Sequence, residues 1–187
     1  MYDWKLKLNA ADLHNFCSQP GSQRLPLNEL RKLTISENTL LFEQVEITSY
    51  LAAWVAEFIR YYLLRSQQTM TFETVMSHPS KVEFLREARA AGYRTYLYFV
   101  ATRGPEINIT RVKARVAKGG HPVADDKVVE RYYRSIALLR QALVHTDRTF
   151  IFDNSGEKPQ LIAEITSGKS VLYHAELVPE WISGILR

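Results

Sequence analysis

A single cysteine, Cys17, in 187 residues excludes an intrachain disulfide framework and suits a reducing compartment. No apolar run is long enough to span a bilayer, and no charged-then-apolar leader opens the chain. A cytoplasmic location is expected. Charge of one sign is scarce too: 24 Lys+Arg against 20 Asp+Glu leave a formal +4, too little to imply nucleic acid by itself. The Gly-x-Ser-x-Gly elbow of serine hydrolases is missing. His14, His78, His121 and His145 lack metal-ligand spacing and Cys17 has no partner histidine, so no side-chain metal site is expected. A phosphate-binding glycine loop is absent as well. Ala163 to Ser170 (Ala-Glu-Ile-Thr-Ser-Gly-Lys-Ser) fits only the loosest form, and it lies between two strand-like stretches. A phosphate loop needs a helix N-terminus after it, so a hairpin turn is the reading here.

What is present is an ordinary core-forming composition, 46% hydrophobic and 24% charged, which suits one domain over 1–187 without repeats or linkers. Residues 1–47 are hard to read. A short helix capped by Asn9, a loop at Pro20-Gly21-Ser22, a helical turn over Leu27–Leu33 and a hairpin turned at Glu37-Asn38 are expected. Thr48–Gln67 has helical spacing at Leu51, Val55, Phe58, Ile59 and Tyr62. A βαβ unit follows: strand Met70–Val75, helix Pro79–Ala90 started by Ser77 or His78, and a nearly continuous apolar strand Arg94–Ala101. Two helices come next, about 106–117 and 125–145, separated by Gly119-Gly120-His121. Then come a buried strand Thr149–Asp153, the hairpin 160–174, and a last helix opened by Pro179. The class is α/β, with a mainly parallel sheet, helices on both faces and a C-terminal β-hairpin.

Two features carry chemistry. Glu73 stands at a predicted strand end, where α/β proteins bind ligands; it is either a site residue or the partner of a nearby arginine. Arg111, Arg115 and Lys118 are spaced i, i+4, i+7, and Lys127, Arg131 and Arg134 repeat the spacing on the next helix. Two cationic stripes hinged by glycines form a clamp for a polyanion, since guanidinium groups grip phosphate oxygens bidentately. The alternative is two solvated faces paired to Glu106, Asp125 or Glu130. A nucleotide fits better than nucleic acid, whose grooves carry longer basic tracks with exposed aromatics.

Phe72-Glu73-Thr74-Val75-Met76-Ser77, Ala88–Tyr93, Arg111–Val116, Gly119-Gly120-His121, Arg131-Tyr132-Tyr133-Arg134-Ser135 and Phe152-Asp153-Asn154-Ser155 together resemble the zeta-toxin-like P-loop kinases over roughly 48–183. The resemblance implies ATP-dependent, Mg²⁺-assisted phosphorylation of a small molecule, in the zeta toxins proper a UDP-linked amino sugar. It implies a helical lid over about 105–145, with Arg115, Arg131 and Arg134 stabilising the transferring phosphoryl group. Glu73 would orient the acceptor, beside Thr74, Ser77, His78 and Lys81. Arg111, Lys118, His121, Asp153, Asn154 and Ser155 would lie near the nucleotide. An antitoxin-like partner is implied too.

The N-terminal strand and Gly-x-x-x-x-Gly-Lys-Ser/Thr loop of that family do not precede residue 48. The expectation is therefore the acceptor-and-lid portion of such a kinase, as a fragment or a degenerate member, inactive as this chain alone. A non-catalytic protein that keeps the fold and holds an anion or partner is the alternative; RNA binding through the lid is a third. The absent strand would leave a sheet edge open, so a homodimer is expected.

Overall fold

Residues 8–17, 30, 32–36 and 39–186 are described by the computed structural model, in which the chain divides into two units, Met1–Thr71 and Phe72–Arg187. In the first unit, Asn9 Oδ1 accepts from the Asp12 amide and starts α1 (Ala10–Cys17). Strands β1 (Thr34–Ser36) and β2 (Thr39–Leu41) pair antiparallel. The Glu37-Asn38 turn, the Pro20-Gly21-Ser22 loop and most of the Leu27–Leu33 turn lie outside the described residues.

Helix α2 (Ser49–Arg65) begins where Thr48 Oγ1 accepts from the Leu51 amide, two residues inside the predicted C-terminal limit at its other end. Its buried side is Leu51, Trp54, Phe58 and Leu64, and Phe16 of α1 meets Trp54 edge-on at 5.2 Å.

The second unit departs first at the predicted strand Met70–Val75. No strand forms there: Glu73, Thr74 and Val75 are exposed, Val75 at 60%. The Thr74 hydroxyl accepts from the Met76 amide and Met76 takes φ +54°, a local turn that competes with extended pairing. Met76 itself is buried in the core beside Val82 and Phe99. The following helix, α3 (Ser80–Ala90), starts later than expected. Neither Ser77 nor His78 is its N-cap residue; Pro79 holds that position, while His78 Nδ1 accepts from the Ser80 amide.

Strand β3 (Tyr96–Ala101) runs into α4 (Pro105–Val116) and α5 (Asp125–Leu143), which cross back to β4 (Arg148–Asp153). That long connection lets β3 and β4 pair in parallel, from Tyr96 opposite Arg148 to Ala101 opposite Asp153. Strands β5 (Gln160–Thr166) and β6 (Ser170–Tyr173) then add antiparallel, in the order β3-β4-β5-β6. The sheet is thus mixed and mostly antiparallel rather than mainly parallel. Short connections after β4 and β5 can join only antiparallel neighbours.

The hairpin expected at Ser167-Gly168-Lys169 is present, with Ser167 and Gly168 at positive φ. A Cβ on Gly168 would stand 2.7 Å from the Leu143 carbonyl oxygen of α5.

One sheet face packs on the helices. Phe99, Ile151, Ala163 and Ile165 meet Leu138, Leu139, Ala142 and Leu143 of α5, Val82 of α3, and Ile182 of the short α6 (Glu180–Ser183). The other face keeps Tyr96, Tyr98, Val100 and Leu172 exposed, Tyr98 at 64% and stacked on Phe150 at 4.9 Å. Helices on both faces are therefore not found among the described residues of this unit. Alternation along β3 puts Leu97, Phe99 and Ala101 inward and those aromatics outward.

Candidate anion site at the strand ends

Because β3 and β4 are in register, their carboxyl ends finish level and their following loops leave side by side. The Asn154 amide donates to the Ala101 carbonyl at 2.7 Å, and the Arg103 amide to Ser155 Oγ at 2.8 Å. Asp153, only 9% exposed, accepts from the Ser155 amide through Oδ1 at 2.7 Å and from Trp181 Nε1 of α6 through Oδ2 at 3.1 Å. Burial pushes its carboxyl up, but the Ser155 and Trp181 hydrogen bonds, with Arg103 nearby, outweigh burial and hold it below the usual value.

Tyr132 of α5 donates its hydroxyl to the Thr102 carbonyl at 2.8 Å, fully buried, which pins α5 to the end of β3. Its burial pushes the phenol up.

Arg111 brings the first cationic stripe to this place. Its Nη2 donates to the Gly156 carbonyl at 3.3 Å, so the exposed face of α4 stands over the Asp153–Gly156 loop. Arg115 does something different: its Nη2 donates to the His121 carbonyl at 3.1 Å and steadies the turn after α4. That turn needs its glycines. Gly119 has φ +88° and the Gly120 amide bonds back to the Arg115 carbonyl, a Schellman-type end, while a Cβ on Gly120 would meet Arg115 Cγ at 2.7 Å.

On α5, Lys127 and Arg134 both pair with Glu130, at 3.0 and 2.7 Å, and hold its carboxyl below the usual range, the Lys127 hydrogen bond contributing most. Lys113 of α4 reaches Asp125 of α5 at 2.8 Å. The side chains of Arg131 and Lys118 are exposed and make no hydrogen bond or ion pair with the described residues.

The structure thus gathers Arg111, Asp153 and Asn154 at the strand ends, and Arg115 with His121 in the lid turn. It links no hydrogen bond or ion pair, among the described residues, from Glu73, Thr74 or Ser77 to the cationic helices. His78 is engaged with Ser80, and Lys81 is half-buried in the first turn of α3. Ser155, expected here by the resemblance, belongs to this place together with Tyr132 and Trp181, which the sequence did not single out as site positions. Only the resemblance at Phe152-Asp153-Asn154-Ser155 pointed there, and the packing that brings Trp181 to it is tertiary.

At the opposite end of the same strands, Asp147 Oδ2 accepts from the Thr95 amide at 2.7 Å and from Thr95 Oγ1 at 3.1 Å. The Thr95 amide bond contributes most to holding this carboxyl down, ahead of its burial, which acts the other way.

No three His, Cys, Asp or Glu side chains converge among the described residues in a way that could hold a metal ion. No helix among them is long and apolar enough to cross a membrane. The first unit has its own cleft, lined by Asp12, Phe16, Phe58, Tyr61, Tyr62, Arg65 and Ser66, with aromatic walls and one charge of each sign.

The family model described as Zeta toxin matches residues 41–174. A protein of Haemophilus influenzae, described only as uncharacterized, is 37% identical over 60 residues, 32% of this chain and 43% of its own. The chain thus spans less than half the length of that relative. No solved structure matches.

Proposed function

As the chain belongs to the zeta toxin family, a P-loop kinase-like family, we propose that residues 72–187 serve as the lid and acceptor part of an ATP-dependent small-molecule kinase. A sugar nucleotide is the proposed acceptor. The observation that carries this reading is the Arg111–Gly156 bond, which sets a cationic helix face over the carboxyl ends of two parallel strands. Anions bind at such ends because the strand-end loops and helix starts offer N–H groups and positive potential. Arg111, Lys118 and Arg131 supply charge to the nucleotide phosphates. Arg115 and Arg134 add charge at the transferring group once substrate competes for their present partners. His121 and Asn154 line the phosphate path. Glu73, with Thr74, Ser77, His78 and Lys81, orients the acceptor hydroxyl.

ATP and Mg²⁺, which kinases of this family usually use, are the proposed co-substrate and ion. The side chains described here do not fit a protein-ligated Mg²⁺ site: both oxygens of Asp153 are engaged, and no acidic cluster stands near. No step is therefore assigned to the ion. An antitoxin-like partner, a homodimer and a cytoplasmic location belong to the same reading.

A second reading, a non-catalytic protein that holds an anion or a partner chain, is favoured by two observations. Lys127 and Arg134 are already paired with Glu130, and Glu73 is exposed on a segment without a strand. Calorimetry with ATP, followed by a transfer assay with Mg²⁺·ATP and UDP-linked amino sugars, separates the two. ATP binding weakened about tenfold in Arg111→Ala, with transfer by the chain extended by a phosphate loop, supports the kinase part. Binding without transfer, also in a chain extended by a phosphate loop, supports the second. ATP affinity unchanged by Arg111→Ala sinks the site.

A further inference from the structure

The family match ends at His174, yet one of the two groups holding Asp153 is Trp181, beyond it. The indole is fixed from two sides. Its ring lies 6.3 Å from Phe99 at 35°, and the next residue, Ile182, is wholly buried in the core. A helix of only four residues thus delivers one N–H to a carboxylate at the end of β4. On its other oxygen that carboxylate takes the Ser155 amide, and Ser155 Oγ takes the Arg103 amide. The chain of bonds runs Trp181, Asp153, Ser155, Arg103. It ends in the two loops that form the anion platform.

We propose that Trp181 and Asp153 are a positioning pair: Asp153 shapes the Asp153–Gly156 loop through Ser155 and does not itself touch the nucleotide. The geometry favours this role, since the carboxylate is buried and each of its oxygens already accepts from a donor of the protein itself. An acid suits the position because it accepts twice. Asparagine accepts once and would set its own N–H₂ against one of the two donors. The depressed carboxyl pKa, in which burial is outweighed by the Ser155 and Trp181 bonds, agrees with a permanently charged acceptor. That the platform takes a phosphate rests on the kinase reading above; the brace does not.

The test uses the full chain with Trp181→Phe, which keeps ring packing but removes the N–H, Asp153→Asn, and both together. Amide exchange at Ser155 and ATP affinity are read on each, with the thermal midpoint as a check of folding. Exchange at Ser155 is expected to quicken roughly tenfold in Trp181→Phe, and ATP affinity to fall by a similar factor. The double variant is expected to bind no worse than Asp153→Asn alone, because the opposed N–H is gone; such non-additivity marks a coupled pair. Additive losses overturn the pair. Wild-type affinity in Trp181→Phe, with a large loss in Asp153→Asn, would mean that Asp153 meets the nucleotide directly, and also overturns it. A wild type that binds no ATP overturns the kinase reading and the loop's role in it, while Ser155 exchange still decides for or against the brace.

Discussion

The two ends of the β3–β4 pair are built from the same parts and used differently. At the start, Asp147 accepts from both the backbone and the hydroxyl of Thr95, across 52 residues of sequence. At the finish, Asp153 accepts from Ser155 and Trp181. Each carboxyl is held below its usual range by N–H donors. A helix arginine stands at each end as well, Arg111 of α4 on the Gly156 carbonyl at the finish and Arg89 of α3 on the Val144 carbonyl at 2.9 Å at the start. A carboxylate clamp is therefore no sign of a site by itself. What marks the site is the end of the strands at which the loops and helix starts converge.

That contrast can be broken from either side. The largest effect is expected from Asp147→Ala, which strands the Thr95 amide. Denaturant unfolding should show a loss of about 2 kcal/mol, with ATP affinity of the surviving folded protein unchanged. Tyr132→Phe comes next. It leaves the buried Thr102 carbonyl without its donor, and should cost about 1 to 2 kcal/mol of stability as well as some affinity, because α5 loses its pin.

Arg111→Ala should do the reverse of Asp147→Ala: affinity for ATP down about tenfold by calorimetry, stability within about 0.5 kcal/mol of wild type. Lys113→Ala, which breaks an exposed pair to Asp125, should change unfolding by less than about 0.5 kcal/mol. A larger loss there would mean that the α4–α5 junction is held by charge more than by its glycine turn.

Acid acts on both ends at once. Both carboxyls have folded values below their unfolded ones, so the stability they supply is fully present above the unfolded value of about 3.9. It is lost as pH falls through the folded values. Raised by burial, the Tyr132 phenol works in the opposite sense: its contribution is present below about pH 10 and fades as pH rises through its folded value. Urea midpoints across pH 2–5 for wild type, Asp147→Asn and Asp153→Asn would show whether one end gives way first.

Helices were legible because their pattern is local. Leu51 and Phe58, or Leu139 and Leu143, announce a buried stripe within one segment, and the observed helices fall within about two residues of the expected limits. The strand Met70–Val75 was not legible. Its residues suit extended pairing as well as those of Tyr96–Ala101 do, but a strand exists only with a neighbour, and the Thr74–Met76 turn takes over where none is found. For the site, the basic spacing of Arg111 and Arg115 was visible, but their different uses were not. One meets a loop carbonyl from β4, the other its own helix turn. Trp181, Tyr132 and Asp147 meet their partners 28, 30 and 52 positions away, and no spacing rule reaches that far.

Gly168 has one more consequence. With φ +65° and the Leu143 carbonyl 2.7 Å from where a Cβ would be, it is confined by backbone on one side and by its own torsion on the other. Screened for folding alone, a random library at this position would return glycine almost exclusively. Ser167-Gly168-Lys169-Ser170 would then acquire the look of a selected nucleotide signature, although the selecting agent is a carbonyl oxygen of the neighbouring helix.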